Sequence, residues 1–176
     1  MNQVRTNPFV GLRPYQTSDA AVFHGRDRQV DELLAFIQTS KFVGIIGSAG
    51  CGKTSLIQAG LFPALNRGHN GIAGTEWVIC KTRPGCSPIK NLAFALGGNG
   101  ILDPSVKSTP ETSLRIETMI RESNTGILDA YTRSPIAGKK NLLVFIDQLE
   151  DIFQYEKYYA SGMAETNEQH QYLNNL

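Results

Sequence analysis

Gly47, Gly52, Lys53 and Thr54 have the types and the spacing of a phosphate-binding loop. Within GIIGSAGCGKTSLI they match the pattern G-x-x-x-x-G-K-[ST] without a mismatch. Glycine lets the backbone bring successive N–H groups to phosphate oxygens, since no Cβ stands in the way. The lysine supplies a mobile positive charge for the β- and γ-phosphates, and the threonine hydroxyl is a ligand for Mg²⁺. The motif therefore predicts that the chain binds a nucleoside triphosphate together with Mg²⁺.

The whole loop is the predicted nucleotide contact, because a following helix would point its free N–H groups at the same phosphates. The expected contacts are Gly47, Ser48, Ala49, Gly50, Cys51, Gly52, Lys53, Thr54 and Ser55. The alternative is a glycine-rich turn between strand and helix that carries an exposed lysine. Cys51 also has two interpretations: a small tolerated residue, which we favour, or a thiol activated by the helix end and Lys53.

A second candidate group follows the most strand-like run of the chain, Asn141 to Ile146. Asp147 comes directly after it, at the end of a strand where α/β sheets bind ligands, and its carboxylate is a second predicted ligand for Mg²⁺. The residue after Asp147 is Gln148, which can hydrogen-bond the water that attacks the phosphate but cannot take its proton. The general base must then be another residue, and we predict Glu150, as first choice, or Asp151. The alternative for these two acids is the acidic first turn of a helix.

Composition and charge exclude several other classes of function. The 176 residues are 41% hydrophobic and carry a net charge of +1, which gives no electrostatic case for nucleic-acid or membrane partners. No apolar run approaches the roughly 20 residues of a spanning helix, and the first residues lack the apolar core of a signal peptide. The three cysteines have spacings unlike a zinc site. We expect a cytoplasmic protein with reduced thiols.

The elements that must position these groups alternate between helix and strand. Apolar residues recur with a helical period at Val30, Leu33, Leu34 and Ile37. Further helices are predicted at Lys53–Leu65 (with a break near Pro63), Ile89–Leu96 and Thr112–Arg121. Strands are predicted at Phe42–Ile46, Trp77–Cys80 and Asn141–Ile146, and a loop at Gly97–Glu111. Strands separated by helices imply an α/β fold with a parallel sheet.

Four separated stretches resemble the novel STAND NTPase family of bacterial signalling ATPases, relatives of the AAA+ and NACHT groups. They are NPFVGLRPYQTSDAAVFHGRDRQVDELL, GKTSLIQAGLFPALNRG, WVICKTRPGCSP and DQLEDIF, in this order. The resemblance implies a P-loop NTPase fold of the ASCE type, a three-layer sandwich with a parallel sheet. It also implies binding of ATP, less often GTP, with Mg²⁺, and a nucleotide-driven switch. Repeat sensors and effector domains on longer chains are the implied partners.

The resemblance also assigns residues outside the loop. In such proteins the segment that resembles FHGRDRQ folds over the base, so His24, Gly25 and Arg26 are expected to line the adenine side. The residues alone indicate only a helix start with an acid in its first turn. Arg83, at the end of a predicted strand, either faces the phosphates or is a surface arginine before a turn, and we favour the second.

The predicted organisation is an irregular N-terminal segment, 1–24, which contains Pro8, Gly11 and Pro14, and a P-loop NTPase domain, 25–176. In ASCE sheets the strand between the P-loop strand and the acidic strand comes later in sequence than both. No strand-like run follows Phe153, so we expect a sheet without that central strand, weak nucleotide binding and little or no turnover. A non-catalytic interaction module that docks through an exposed sheet edge is the alternative. A small-molecule kinase is a weaker one, since no arginine-rich lid follows the acidic strand.

Overall fold

The computed structural model describes residues 8–67, 76–98, 100–103, 109–153 and 163–176. They belong to two compact units, Met1–Thr75 and Glu76–Leu176, and each is described by itself. In chain order the elements are a 3₁₀ turn Thr17–Val22, α1 Asp27–Thr39, α2 Lys53–Ser55, a π-helical segment Leu56–Leu61, α3 Phe62–Asn66, β1 Glu76–Thr82, α4 Pro88–Gly97, α5 Pro110–Glu122, α6 Gly126–Thr132, β2 Lys140–Ile146 and α7 Met163–Asn174.

The helix that follows the glycine-rich loop changes pitch in its middle. It begins as α2, widens into the π-helical segment, in which the Phe62 N–H donates to the carbonyl of Ile57, and continues as α3. Pro63 has no amide hydrogen for an α-helical bond to residue 59, and the wider turn avoids that requirement. The helix predicted at Lys53–Leu65 is therefore confirmed, but the break expected near Pro63 is wrong, because α3 continues through Pro63 to Asn66.

Gly60 allows α1 to pack closely against this helix. A Cβ at position 60 would lie 2.6 Å from Cγ2 of Val30 and 3.4 Å from Cε1 of Phe23. The first distance is too short for a β-carbon and the second is a tight contact, so any other residue at position 60 would require the Val30 side chain to shift. α1 itself buries Leu33 and Leu34, two of the four residues that carry its helical period.

Parallel pairing of two strands organises the second unit. β1 and β2 run in register from Glu76↔Lys140 to Thr82↔Ile146, so the predicted mixed α/β class with a parallel sheet is confirmed for this pair. The core beside the sheet consists of Cys80, Ile89, Leu92, Ala93, Leu96, Leu102, Ile116, Ile120, Ala130, Ile136, Ile152 and Tyr172. α7 is fixed on this core by Asn175, which accepts a hydrogen bond from the Gly126 N–H and donates to the carbonyl of Ile120.

The strand predicted at Phe42–Ile46 is wrong. Residues 42–48 run without secondary structure, and the sheet of the described residues contains β1 and β2 alone. Phe42 is 60% exposed and Ile46 is 99% exposed. An apolar, β-branched run becomes a strand only when another strand accepts its backbone hydrogen bonds, and no described strand does so here.

Candidate functional site

The predicted phosphate-binding loop has the backbone of a tight turn that leads into a helix. The Cys51 N–H donates to the carbonyl of Ser48 at 3.3 Å, which closes a turn around Ala49 and Gly50. Gly50 and Gly52 have φ of +76° and +90°, in the left-handed region that favours glycine, and the helix starts at the next residue. A Cβ on Gly50 would meet nothing within 4 Å, so open space lies beside this residue.

Lys53 folds back over this loop. Its Nζ donates to the carbonyl oxygens of Gly47 at 2.7 Å and Ser48 at 3.1 Å. A Cβ on Gly47 would lie 2.9 Å from Sγ of Cys51, so glycine leaves room for the Cys51 side chain inside the loop. The ammonium group is thus held by two neutral carbonyls, partners that a negatively charged phosphate can replace.

Arg26 contacts the same loop from the start of α1. Its Nη2 donates to the carbonyl of Cys51 at 3.1 Å. Gly25 precedes it with φ of +83°, a backbone conformation that would be strained for a residue with a side chain. His24 is exposed. Of the three residues expected on the adenine side, the structure brings Arg26 to the loop directly.

The N-terminal segment packs on the helix after the loop through contacts that the sequence did not indicate. The Tyr15 N–H donates to Oγ of Ser55 at 3.1 Å, and the Thr17 hydroxyl donates to the carbonyl of Gln58 at 3.0 Å. The Tyr15 ring also lies against Phe23, with ring centroids 5.5 Å apart. The hydroxyl of Ser55, a predicted nucleotide contact, therefore takes part in holding this segment.

Asp19 is the centre of the same segment. Its carboxylate accepts two hydrogen bonds from the Arg13 guanidinium, at 2.5 and 3.0 Å, and one from the Gln16 N–H at 2.8 Å. The bonds from Arg13, followed by that from Gln16, lower the pKa of Asp19 to about 2. The carboxylate is thus stabilised in its charged form, which fixes the turn before Thr17–Val22.

Stability of the chain should depend on this carboxylate in acid. A pKa of about 2 in the folded chain, against about 3.9 for an ordinary aspartate, means that Asp19 stabilises the fold above about pH 4 and stops doing so as the pH falls toward 2. Asp19→Asn should therefore be less stable than the wild type at pH 5, and the difference should shrink between pH 4 and 2. Urea unfolding followed by circular dichroism measures it. A difference independent of pH would contradict the ion pair.

The three predicted acidic residues, Asp147, Glu150 and Asp151, lie in the second unit, directly after β2. The Asp147 N–H donates to the carbonyl of Thr82, which continues the β1–β2 pairing by one residue. The Asp151 carboxylate accepts a 2.8 Å hydrogen bond from Nε of Arg83, whereas no hydrogen bond or ion pair to the Glu150 carboxylate occurs among the described residues. Arg83 is thus the surface arginine before a turn that we favoured, and in addition its guanidinium is paired with a candidate base.

A family model described as Novel STAND NTPase 1 matches residues 8–176. The chain belongs to this family. The resemblance in the four motifs is thereby confirmed, and membership supports a nucleotide-binding domain of the P-loop NTPase class. No curated protein and no solved structure matches the chain at a significant level. In the part of this STAND NTPase domain that the structure describes, no helix is long and apolar enough to span a membrane.

The residues of this STAND NTPase domain fit a nucleotide with Mg²⁺. The loop has open space at the Cβ position of Gly50 and a lysine ammonium whose two partners are neutral carbonyls, which a phosphate can replace. Among the described residues no three His, Cys, Asp or Glu side chains form a metal-binding group. Mg²⁺ needs no such group, because it binds one or two protein oxygens together with substrate phosphates. Thr54 and Asp147 stay the predicted Mg²⁺ ligands, and they belong to the first and the second unit respectively.

Proposed function

We propose that this chain binds ATP or GTP with Mg²⁺ as the nucleotide-dependent switch of a signalling protein. The observation that carries the proposal is the loop from Gly47 to Thr54, in which two left-handed glycines lead into a helix and Lys53 lies over the loop carbonyls. Membership in a STAND NTPase family supports the same function. Residues 25–176 are the proposed NTPase domain, and 1–24 the segment that precedes it.

Each residue of the proposed site has a defined task. The backbone from Gly47 to Gly52 would donate N–H groups to phosphate oxygens, and Lys53 would leave its two carbonyls for the β- and γ-phosphates. Thr54 and Asp147 would hold Mg²⁺, which supplies charge neutralisation on the phosphate oxygens. The resemblance places His24, Gly25 and Arg26 on the adenine side. We expect the remaining loop positions, Ser48, Ala49, Gly50, Cys51 and Ser55, to line the phosphates.

Glu150 is the better candidate to orient the attacking water. Asp151 is engaged by Arg83, while the carboxylate of Glu150 is exposed and forms no ion pair in the described part of the chain. We expect little or no turnover, because the predicted sheet lacks its central strand and because the transition-state charge also needs an arginine supplied from elsewhere.

Titration with a fluorescent ATP analogue tests the proposed function. The wild type should show saturable, Mg²⁺-dependent binding, and Lys53→Ala should weaken it about 10- to 100-fold, since it removes a charged hydrogen bond to phosphate. Lys41→Ala is the matched control, a lysine of the same unit outside the loop, and should bind like the wild type. Competition with unlabelled ATP and GTP determines which base is preferred.

Labelling of Cys51 gives a second, independent measure of the same binding. In a Cys86→Ser variant Cys51 is the one exposed thiol, because Cys80 is buried. ATP with Mg²⁺ should slow its reaction with a thiol reagent, and Lys53→Ala should remove the protection. Absence of Mg²⁺-dependent saturation in the wild type, with no protection of Cys51, would instead favour the non-catalytic interaction module.

A further inference from the structure

The turn that carries the acids after β2 has an unusual backbone. Asp147 ends the strand, and Gln148 adopts φ of +56°, the one described non-glycine residue with a positive φ. The Asp151 N–H then donates to the carbonyl of Gln148 at 3.0 Å, which closes the turn. A left-handed glutamine costs free energy, so it persists only where surrounding contacts hold the backbone in place.

Two consecutive residues next to this turn provide those contacts. Thr82, the last residue of β1, accepts a hydrogen bond from the Asp147 N–H at 3.0 Å. Arg83, the next residue, donates from Nε to the Asp151 carboxylate at 2.8 Å. One end of the turn is thus bound to the backbone of residue 82 and the other end to the side chain of residue 83.

The backbone of Arg83 and Pro84 is also held by a side chain of α4. Asn91 of α4 donates from Nδ2 to the carbonyl of Pro84 at 2.8 Å and, more weakly, to that of Arg83 at 3.4 Å. Pro84 is buried, which fixes the backbone on which the arginine stands. The pKa of Arg83 is raised, first by its hydrogen bond to Asp151 and also by the charges of Asp147 and Glu150. The direct contact of the guanidinium is with Asp151.

We propose that Arg83 is a positioning residue for the metal ligand Asp147 and for Glu150, and that it acts through its ion pair with Asp151. The inference rests on the proposed function for the roles of Asp147 and Glu150. It assigns Asp151 to holding the turn rather than to taking a proton. Arg83 would order the turn before nucleotide binds. Binding of Mg²⁺ by the Asp147 carboxylate would then not include the entropy cost of ordering the turn.

Two variants that break the pair from opposite sides test this role. Arg83→Met and Asp151→Asn should each raise about 10-fold the Mg²⁺ concentration that half-saturates binding of the fluorescent ATP analogue. The double variant should be no worse than either single one, because both act on one contact. Arg83→Lys should recover part of the loss. Affinity measured without Mg²⁺ should not change, since the pair does not contact the nucleotide.

Hydrogen exchange on the ligand-free chain gives a readout that needs no nucleotide. The Asp151 amide should exchange several-fold faster in Arg83→Met and in Asp151→Asn, whereas Arg133→Met, an exposed arginine of the same unit, should leave it unchanged. If Arg83→Met cannot be folded, Arg83→Lys and Asp151→Asn carry the test.

Three outcomes overturn the positioning role. An unchanged Asp151 amide in both variants would show that the pair does not order the turn. A raised Mg²⁺ requirement in Arg83→Met but not in Asp151→Asn would show that Arg83 acts on the nucleotide directly. An equal loss of affinity with and without Mg²⁺ would show the same. A wild-type chain that binds no nucleotide counts against the proposed function instead, and the exchange experiment still decides whether Arg83 orders the turn.

Discussion

Replacing Gly126 with alanine should destabilise the second unit by about 3 kcal/mol, the upper range for overpacking a tight site. Gly126 is the first residue of α6, and a Cβ there would lie 2.5 Å from Cα of Ile120, 2.5 Å from the carbonyl oxygen of Met119 and 2.7 Å from the Ile120 nitrogen. All three atoms are backbone of α5, so no side-chain rotation relieves the contact. The two helices would have to separate, which also strains the bond from the Gly126 N–H to Asn175.

Urea unfolding followed by the fluorescence of Trp77, the single tryptophan, measures this effect within the same unit. With a slope of about 2 kcal/mol per molar urea, the midpoint should fall by about 1.5 M. Gly138→Ala is the matched control. Gly138 has φ of +70° but open space at its Cβ position, so alanine there should cost only about 1 kcal/mol of backbone strain. Equal midpoints for the two variants would contradict the close approach of α5 and α6.

Local sequence patterns correctly predicted α1, β1 and β2. The period of Val30, Leu33, Leu34 and Ile37 predicted α1, which begins at Asp27 and ends at Thr39. The runs that end in Cys80 and Ile146 predicted β1 and β2, and alternation with helices predicted their parallel pairing. Each of these signals lies within a few residues of the element that it specifies.

The predictions that failed depend on tertiary contacts. Phe42–Ile46 has the composition of a strand but no described strand beside it, and a strand requires one. α6 was not predicted, because SNTGIL at its start has the composition of a turn. Its first residue is glycine for a reason that composition cannot supply: α5 leaves no room for a Cβ there.

In the candidate site too, local patterns predicted some features, whereas others depend on tertiary contacts. The spacing of Gly47, Gly52, Lys53 and Thr54 predicted a loop, and the left-handed φ of Gly52 explains why a glycine precedes the lysine. The contact of Tyr15 with Ser55 spans 40 residues, and that of Arg83 with Asp151 spans 68. Neither pair has a local pattern that links its members, so both required the structure.

Cys80 should be by far the least reactive of the three thiols. Cys51 and Cys86 are exposed, whereas Cys80 is completely buried in β1, and burial raises the pKa of its thiol to about 12. The thiolate is the reactive form, and burial of Cys80 keeps its thiol protonated at pH 8. Lack of access slows the reaction further. A disulfide reagent should therefore modify two thiols of the folded chain rapidly.

The double variant Cys51→Ser/Cys86→Ser isolates the third thiol. It should show almost no reaction until urea is added, and then one thiol per chain, with the same midpoint as the fluorescence of Trp77, because both residues lie in β1. Cys80→Ala is the complementary control, and it should keep both fast thiols at wild-type rates. A fast reaction of Cys80 in the folded double variant would mean that the β1 core opens far below the global unfolding free energy. In that case the pairing that fixes Thr82 and Arg83 beside the acidic turn would not be stable enough to position Asp147.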